Sequence, residues 1–186
     1  MPRVGLSTEA VVAAAAQQLD ADPRAELSLS RLASEARVKA PSLYNHVSSL
    51  DDLRRRVALV GIEELGETLR TAVMGRSGAD AITALAHAYR AYATAHPGVY
   101  PLTQEARPND PEYAAAGLRA IEPVVATLRG CGIPEPQLIH RVRTVRSSLH
   151  GFVLLESSAG FGLDVDVDAS FDDLVAMVAT TAGAGV

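Results

Sequence analysis

Apolar residues in this chain recur every three or four positions, and nowhere do they hold the period-two rhythm of a half-buried strand. Val11, Val12, Ala15, Ala16 and Leu19 form one such stripe, and Ile82, Leu85, Ala86, Tyr89 and Ala93 form another. A third runs Leu53, Val57, Val60, Leu65, Leu69, Val73, and a fourth Leu138, Val142, Val145, Leu149, Phe152, Val153. Each stripe covers one face of a helix and demands a partner to bury it. The expected fold class is therefore all-α.

Punctuation sets the segments. Ser7 can cap a first helix reaching about Leu19, with Ala10 at its N3 position, and Pro23 in DADPRAE ends it. Ser28 or Ser30 caps a short second helix with Leu32, Ala33 and Ala36 inward. After ARVKAP, Pro41 sits in the first turn of a third short helix. Ser49 or Asp51 starts a long fourth helix, and Gly75 to Gly78 separate it from a fifth over Ala79–His96. HPGVYP and ARPNDP turn the chain, a segment over about 111–130 ends at RGCG, and a long amphipathic helix runs through PEPQLIHRVRTVRSSLHGFVLLES. GFGLDVDVDAS reads as a loop whose last Asp or Ser170 caps the closing helix FDDLVAMVATTA.

Composition bounds what these helices serve. No apolar run approaches the roughly 20 residues of a membrane span. The apolar start is interrupted by Glu9, Gln17 and Gln18, so it reads as a helical stripe and a cytoplasmic location is expected. The single cysteine, Cys131, excludes an internal disulfide and a Cys-rich metal site. Net charge is −5, yet residues 1–60 hold eight basic against seven acidic residues, and 31–56 hold six against three. Local basic excess of this kind suits a polyanion, because neutralised phosphates supply most non-specific DNA affinity.

The stretch VKAPSLYNHVSSLDDL, Val38 to Leu53, concentrates hydrogen-bonding side chains in a chain otherwise rich in aliphatics. Two short helices joined by a tight turn, with one helix before and one after, describe a helix-turn-helix, whose second helix enters the major groove. Val38, Leu43 and Val47 then face the core, and the rest faces DNA. Asn45 can pair bidentately with adenine, Ser42 can reach base or phosphate, and Ala40 and Pro41 can press on a thymine methyl. Lys39, Tyr44 and His46 grip the backbone, and Ser28 and Ser30 join the DNA-contacting set. Read singly, Tyr44 is equally a core aromatic, Asn45 a helix cap, and Arg54-Arg55-Arg56 a solvated face.

The pattern Leu29-x-x-Leu32-Ala33-x-x-Ala36-x-Val38-x-x-Pro41-Ser42-Leu43-Tyr44-x-His46-Val47 resembles the N-terminal domain of TetR-family transcriptional regulators. The likeness covers about Leu6 to Val57 and is strongest to the tetracycline-repressor branch. It departs at two places. Arg37 stands where the family usually has glycine in the turn, so a positive φ there would carry strain. Leu50 stands where the family usually has a phosphate-contacting lysine, leaving Lys39 or Arg54 to substitute. RSSLHGFVLLESSAGFG is similar to a C-terminal subgroup named for a Trp-His-Gly signature, with Leu149 in place of the tryptophan.

The resemblance implies a DNA-binding domain over 1–57 and a ligand-binding and dimerisation bundle over 58–186. It further implies a repressor that leaves a double-stranded operator when an unidentified small molecule binds. The two last long helices carry stripes too wide to cover one another, so a homodimer through them is expected. Arg141, Arg143 and Arg146 would lie at its rim or pair within the helix. Tyr89, Tyr92, Tyr100, Gln104, His150 and Phe152 are the candidate ligand contacts, although Tyr89 and Phe152 also sit on core stripes. No cofactor is expected. His87, His96, His140 and His150 give no i, i+4 metal pair, and Asp164, Asp166 and Asp168 lack the glycine and closing glutamate of a calcium loop.

Two other classes stay in view. A small helical enzyme would need a nucleophile elbow, a zinc motif, a phosphate loop or paired inward carboxylates, and none occurs. A ligand-binding or interaction protein with a weakened DNA-reading head is motivated by Arg37 and Leu50.

Overall fold

The computed structural model describes residues 6–183, and every regular element among them is a helix. In order these are α1 (Thr8–Ala21), α2 (Leu29–Glu35), α3 (Ala40–Leu43), α4 (Leu50–Val73), α5 (Gly78–Ala95), α6 (Val99–Thr103), α7 (Pro111–Gly130), α8 (Glu135–Ser157) and α9 (Val167–Gly183). The caps follow sequence chemistry. Ser7 Oγ accepts from the Ala10 amide at 3.2 Å, and Ser28 Oγ from that of Arg31 at 3.4 Å. At the start of α4 the capping is reciprocal: the Asp52 amide donates to Ser49 Oγ at 3.0 Å, while the Ser48 amide donates to Asp52 Oδ2 at 2.8 Å.

Two compact units result. The first takes the chain up to Ile62 and adds Ala95–Asn109, and the second takes Glu63–Thr94 and everything from Asp110. The first unit closes over Val11, Val12, Ala15, Leu32, Ala33, Leu43, Val47, Leu53 and Val57, all buried. α6 joins it through Asp20, whose carboxylate accepts from the Gly98 and Val99 amides at 2.9 Å each and meets His96 Nδ1 at 2.9 Å. That carboxylate supplies the acceptor that the first turn of α6 lacks locally. Gly98 must be glycine, since a Cβ there would stand 2.1 Å from the Leu19 carbonyl oxygen.

The second unit packs α8 against both α7 and α9. Its core holds Ile82, Leu85, Tyr89, Leu128, Leu138, Leu149, Val153 and Phe171. Arg90 ties α5 to both ends of the α8–α9 connection. Its Nε donates to Glu156 Oε2 at 2.9 Å and its Nη2 to Asp168 Oδ1 at 2.7 Å, and its guanidinium stacks 4.7 Å from the Phe171 ring centre. The Glu156 bond, ahead of Asp168 and against partial burial, pushes the Arg90 pKa upward.

Four expectations need correction. Ala36 is exposed, because α2 has already ended and the chain turns out at Arg37. Val60 is 41% exposed, and Gly61 and Ile62 take the inward positions instead. HPGVYP does not merely turn, since Val99–Thr103 is helical. The loop ends at Asp166, whose Oδ1 accepts from the Asp168 amide at 2.9 Å, so neither Asp168 nor Ser170 caps α9. Among the described residues no helix is long and apolar enough to cross a membrane.

Candidate nucleic-acid interface

The short helices of the first unit owe their geometry to one turn. The Val38 amide donates to the Ala33 carbonyl at 2.9 Å and the Arg37 amide to that of Ser34 at 3.1 Å. This pair of bonds is the Schellman ending of a helix, with its C′ residue in the left-handed region. Arg37 occupies that place with φ +54°. A Cβ costs roughly 1–2 kcal/mol in this conformation, which glycine would avoid.

α3 follows at once, with Pro41 in its first turn. Leu43 and Val47, 1% and 2% exposed, anchor it, and the half-buried Val38 covers its entry. Four helical residues cannot bury much, so the remaining side chains face outward. Tyr44 is 57% exposed, which excludes the reading of it as a core aromatic in this unit. Lys39, Pro41 and Asn45 are exposed, while Ala40, Ser42 and His46 are half-buried. Asn45 lies in the turn after α3, beyond the C-cap Tyr44. Ser30 is exposed at the start of α2, and the half-buried Ser28 spends its hydroxyl lone pair on the α2 cap.

The first turn of α4 is held by charges. Arg54 Nη2 donates to Glu105 Oε1 at 2.9 Å, Arg107 Nη2 to Asp51 Oδ1 at 2.9 Å, and Arg56 Nε to Asp52 Oδ1 at 2.9 Å. The Arg107 bond keeps the Asp51 carboxyl below its ordinary range. Burial pushes the Asp52 carboxyl up, but the Ser48 amide and Arg56 outweigh it and the net shift is downward. Arg54, one of the two substitutes for a lysine at position 50, is thus engaged with Glu105, and Leu50 is 39% exposed. Sequence reasoning missed Glu105 and Arg107, which lie more than 50 residues from their partners.

The candidate ligand contacts divide between the units. Tyr100 and Gln104 belong to the first, Tyr100 buried and Gln104 donating through Nε2 to Thr103 Oγ1 at 2.7 Å. Tyr89, Tyr92, His150 and Phe152 belong to the second, the two tyrosines buried and the other two half-buried. Phe152 meets rings that the sequence did not flag: Phe171 at 5.0 Å and Phe161 at 4.8 Å between centres. Burial, with Arg146 nearby, lowers the His150 pKa. Among the described residues no group of three His, Cys, Asp or Glu is placed to hold a metal.

Comparison with known proteins agrees with this arrangement. Residues 82–178 match the family described as the tetracyclin repressor-like C-terminal domain. An uncharacterised HTH-type transcriptional regulator of Mycobacterium tuberculosis, Rv0681, is 41% identical over 94% of this chain and 80% of its own. The regulator YobS of Bacillus subtilis is 32% identical over 89% of this chain and 87% of its own. The Streptomyces coelicolor TetR family protein ActR, solved in complex with (S)-DNPA, shares the fold with a TM-score of 0.70 at 20% identity, covering 98% of this chain and 99% of that one. A family model matching residues 82–178, with regulators 41% and 32% identical along most of the chain, makes this chain a member of the TetR family of transcriptional regulators, which act by binding DNA and not as enzymes.

Proposed function

We propose that the chain is a cytoplasmic repressor that binds an operator as a homodimer and leaves it when a small molecule occupies the bundle of residues 58–186. Residues 1–57 carry the reading. The observation that carries this is the outward face of α3: Tyr44 is 57% exposed beside Lys39, Pro41 and Asn45, while only Leu43 and Val47 are fully buried. Ser42 and Asn45 read base edges, Ala40 and Pro41 meet a thymine methyl, and Lys39, Tyr44, His46, Ser28 and Ser30 hold the backbone.

The dimer is formed through α8 and α9, where Ile139, Leu154 and Met177 are each at least half exposed. Two heads spaced about 34–36 Å apart address successive major grooves. The effector, contacting Tyr89, Tyr92, His150 and Phe152 of the second unit, favours a bundle arrangement in which that spacing is wrong. Full switching requires a preference of roughly 10⁴-fold for the released arrangement. ActR, with the same fold, was solved in complex with (S)-DNPA, which supports an effector-responsive reading.

A gel shift against the DNA flanking the gene, repeated at rising salt, tests the reading. A sequence-preferring complex that weakens with salt is expected. Tyr44→Ala should weaken it without lowering the thermal midpoint. A wild-type protein with no such complex would sink the proposal, and a variant that binds as tightly as the wild type would remove Tyr44 from the contacts.

A further inference from the structure

α8 and α9 leave a groove of about 170 Å³ between the first half of α8 and the second half of α9. Val145, Leu174, Val178 and Ala182 line it, together with Arg141. An apolar cavity of about 150 Å³ takes a benzene-sized group. The same unit presents such groups at its opposite end. The α8–α9 connection carries Leu163 at 81% and Val165 at 64% exposure, alternating with Asp164 and Asp166. It stands away from its own groove: Arg90 ties both of its ends, and Val145 lies about 18 Å back along α8 from Ser157, twelve residues at 1.5 Å each.

We infer that each copy of the dimer seats the Leu163–Val165 tip of its α8–α9 connection in the α8–α9 groove of the other copy. This rests on the dimer proposed above and deepens it. Charge is complementary, because Arg141 lines the groove while the tip carries Asp164. Symmetry fits as well. Midway between Val145 at the groove and Ser157 at the end of α8 stands Gly151, on the helix face of groove residues Thr144 and Ser148. A Cβ there would meet nothing within 4 Å, so that point of α8 is open. A two-fold axis near Gly151 lets two α8 helices cross closely and lays each tip over the partner's groove. Arg141 of one copy then faces Asp164 of the other.

Charge reversal with mixing tests this, read as the dimer dissociation constant by sedimentation over a dilution series. Arg141→Glu and Asp164→Arg should each weaken the homodimer about tenfold, because each places like charges opposite one another twice. Mixing the two variants should restore wild-type affinity as a heterodimer, in which both contacts are again opposite in sign. Leu163→Ser, at an exposed site, should weaken the dimer with no change in helicity. A wild-type chain that is monomeric throughout would overturn the dimer itself. A wild-type dimer that the single reversals leave unchanged would overturn only the tip-in-groove contact. Rescue by the double variant in one chain but not by mixing would place the pair within one copy and overturn the inference as well.

Discussion

The head and the larger unit end a helix in the same way with opposite residues. After α7 the Ile133 amide donates to the Leu128 carbonyl at 3.2 Å and the Gly132 amide to that of Arg129 at 3.0 Å, with Gly132 at φ +84°. After α2 the same two bonds form, but Arg37 holds the left-handed place at φ +54°. One turn is relaxed and the other is strained. Ala159 guards against reading too much into this: after α8 the identical bonds form around an alanine at φ +55°, which has no functional side chain to offer. A strained C′ residue is therefore no proof of function by itself. What sets Arg37 apart is an exposed cation two residues before Lys39, on the unit proposed to read DNA.

Substitutions can break this comparison. The largest effect is expected where a glycine is demanded by space and not by φ. Gly98→Ala drives a Cβ into the Leu19 carbonyl and should cost about 3 kcal/mol or more in the first unit, measured by urea unfolding. Gly132→Arg copies the strained turn into the larger unit. Nothing lies within 4 Å of its Cβ, so only the backbone penalty of roughly 1–2 kcal/mol should appear. Arg37→Gly should stabilise the head by about 0.5–1 kcal/mol, the relief of strain less the chain entropy of glycine. Arg37→Ala keeps the strain and should leave stability unchanged. Both Arg37 variants should reduce the slope of DNA affinity against salt by about one if Arg37 meets a phosphate. Unequal slopes would show that the turn geometry, and not the charge, was at work.

Acid should separate the two units by a smaller margin. The lowered pKa of His150 means that the unfolded chain takes up that proton first. Its contribution is present above the ordinary histidine value near 6.5 and is lost as pH falls through the lowered one. In the head, Asp51 and Asp52 are held low, so their contribution persists until pH falls below the ordinary value near 3.8. Hydrogen exchange followed peptide by peptide between pH 7 and 5 should show α8 losing protection while α4's first turn does not. His150→Gln should flatten the difference.

Much of this was legible beforehand because it is local. The stripes, the Ser7 and Ser28 caps and the anchoring by Leu43 and Val47 all follow from residues within a turn or two of one another. The risk at Arg37 was legible too, since a tight turn after a helix wants glycine. α6 was not, because Pro97, Gly98 and Pro101 signal a turn, and what makes Val99–Thr103 helical is the distant Asp20 together with the burial of Val99, Tyr100 and Leu102. The cluster of Arg90 with Glu156 and Asp168 spans 66 and 78 residues, beyond any periodicity. Val60 failed for a plainer reason: its stripe allowed two neighbouring phases, and Gly61 and Ile62 took the inward one.

The attachment of α6 to Asp20 has a consequence for synthesis. α2 and α3 are finished early, yet the unit that contains them waits for Ala95–Asn109. A nascent chain that has emerged only through α4 still lacks the capping partners of Asp20 and the carboxylate that Arg54 holds. At roughly 5–20 residues per second, the head passes several seconds before its last pieces arrive. Its completion is a long-range closure and not a local event, so α5 must be made before the unit that holds α2 and α3 is whole.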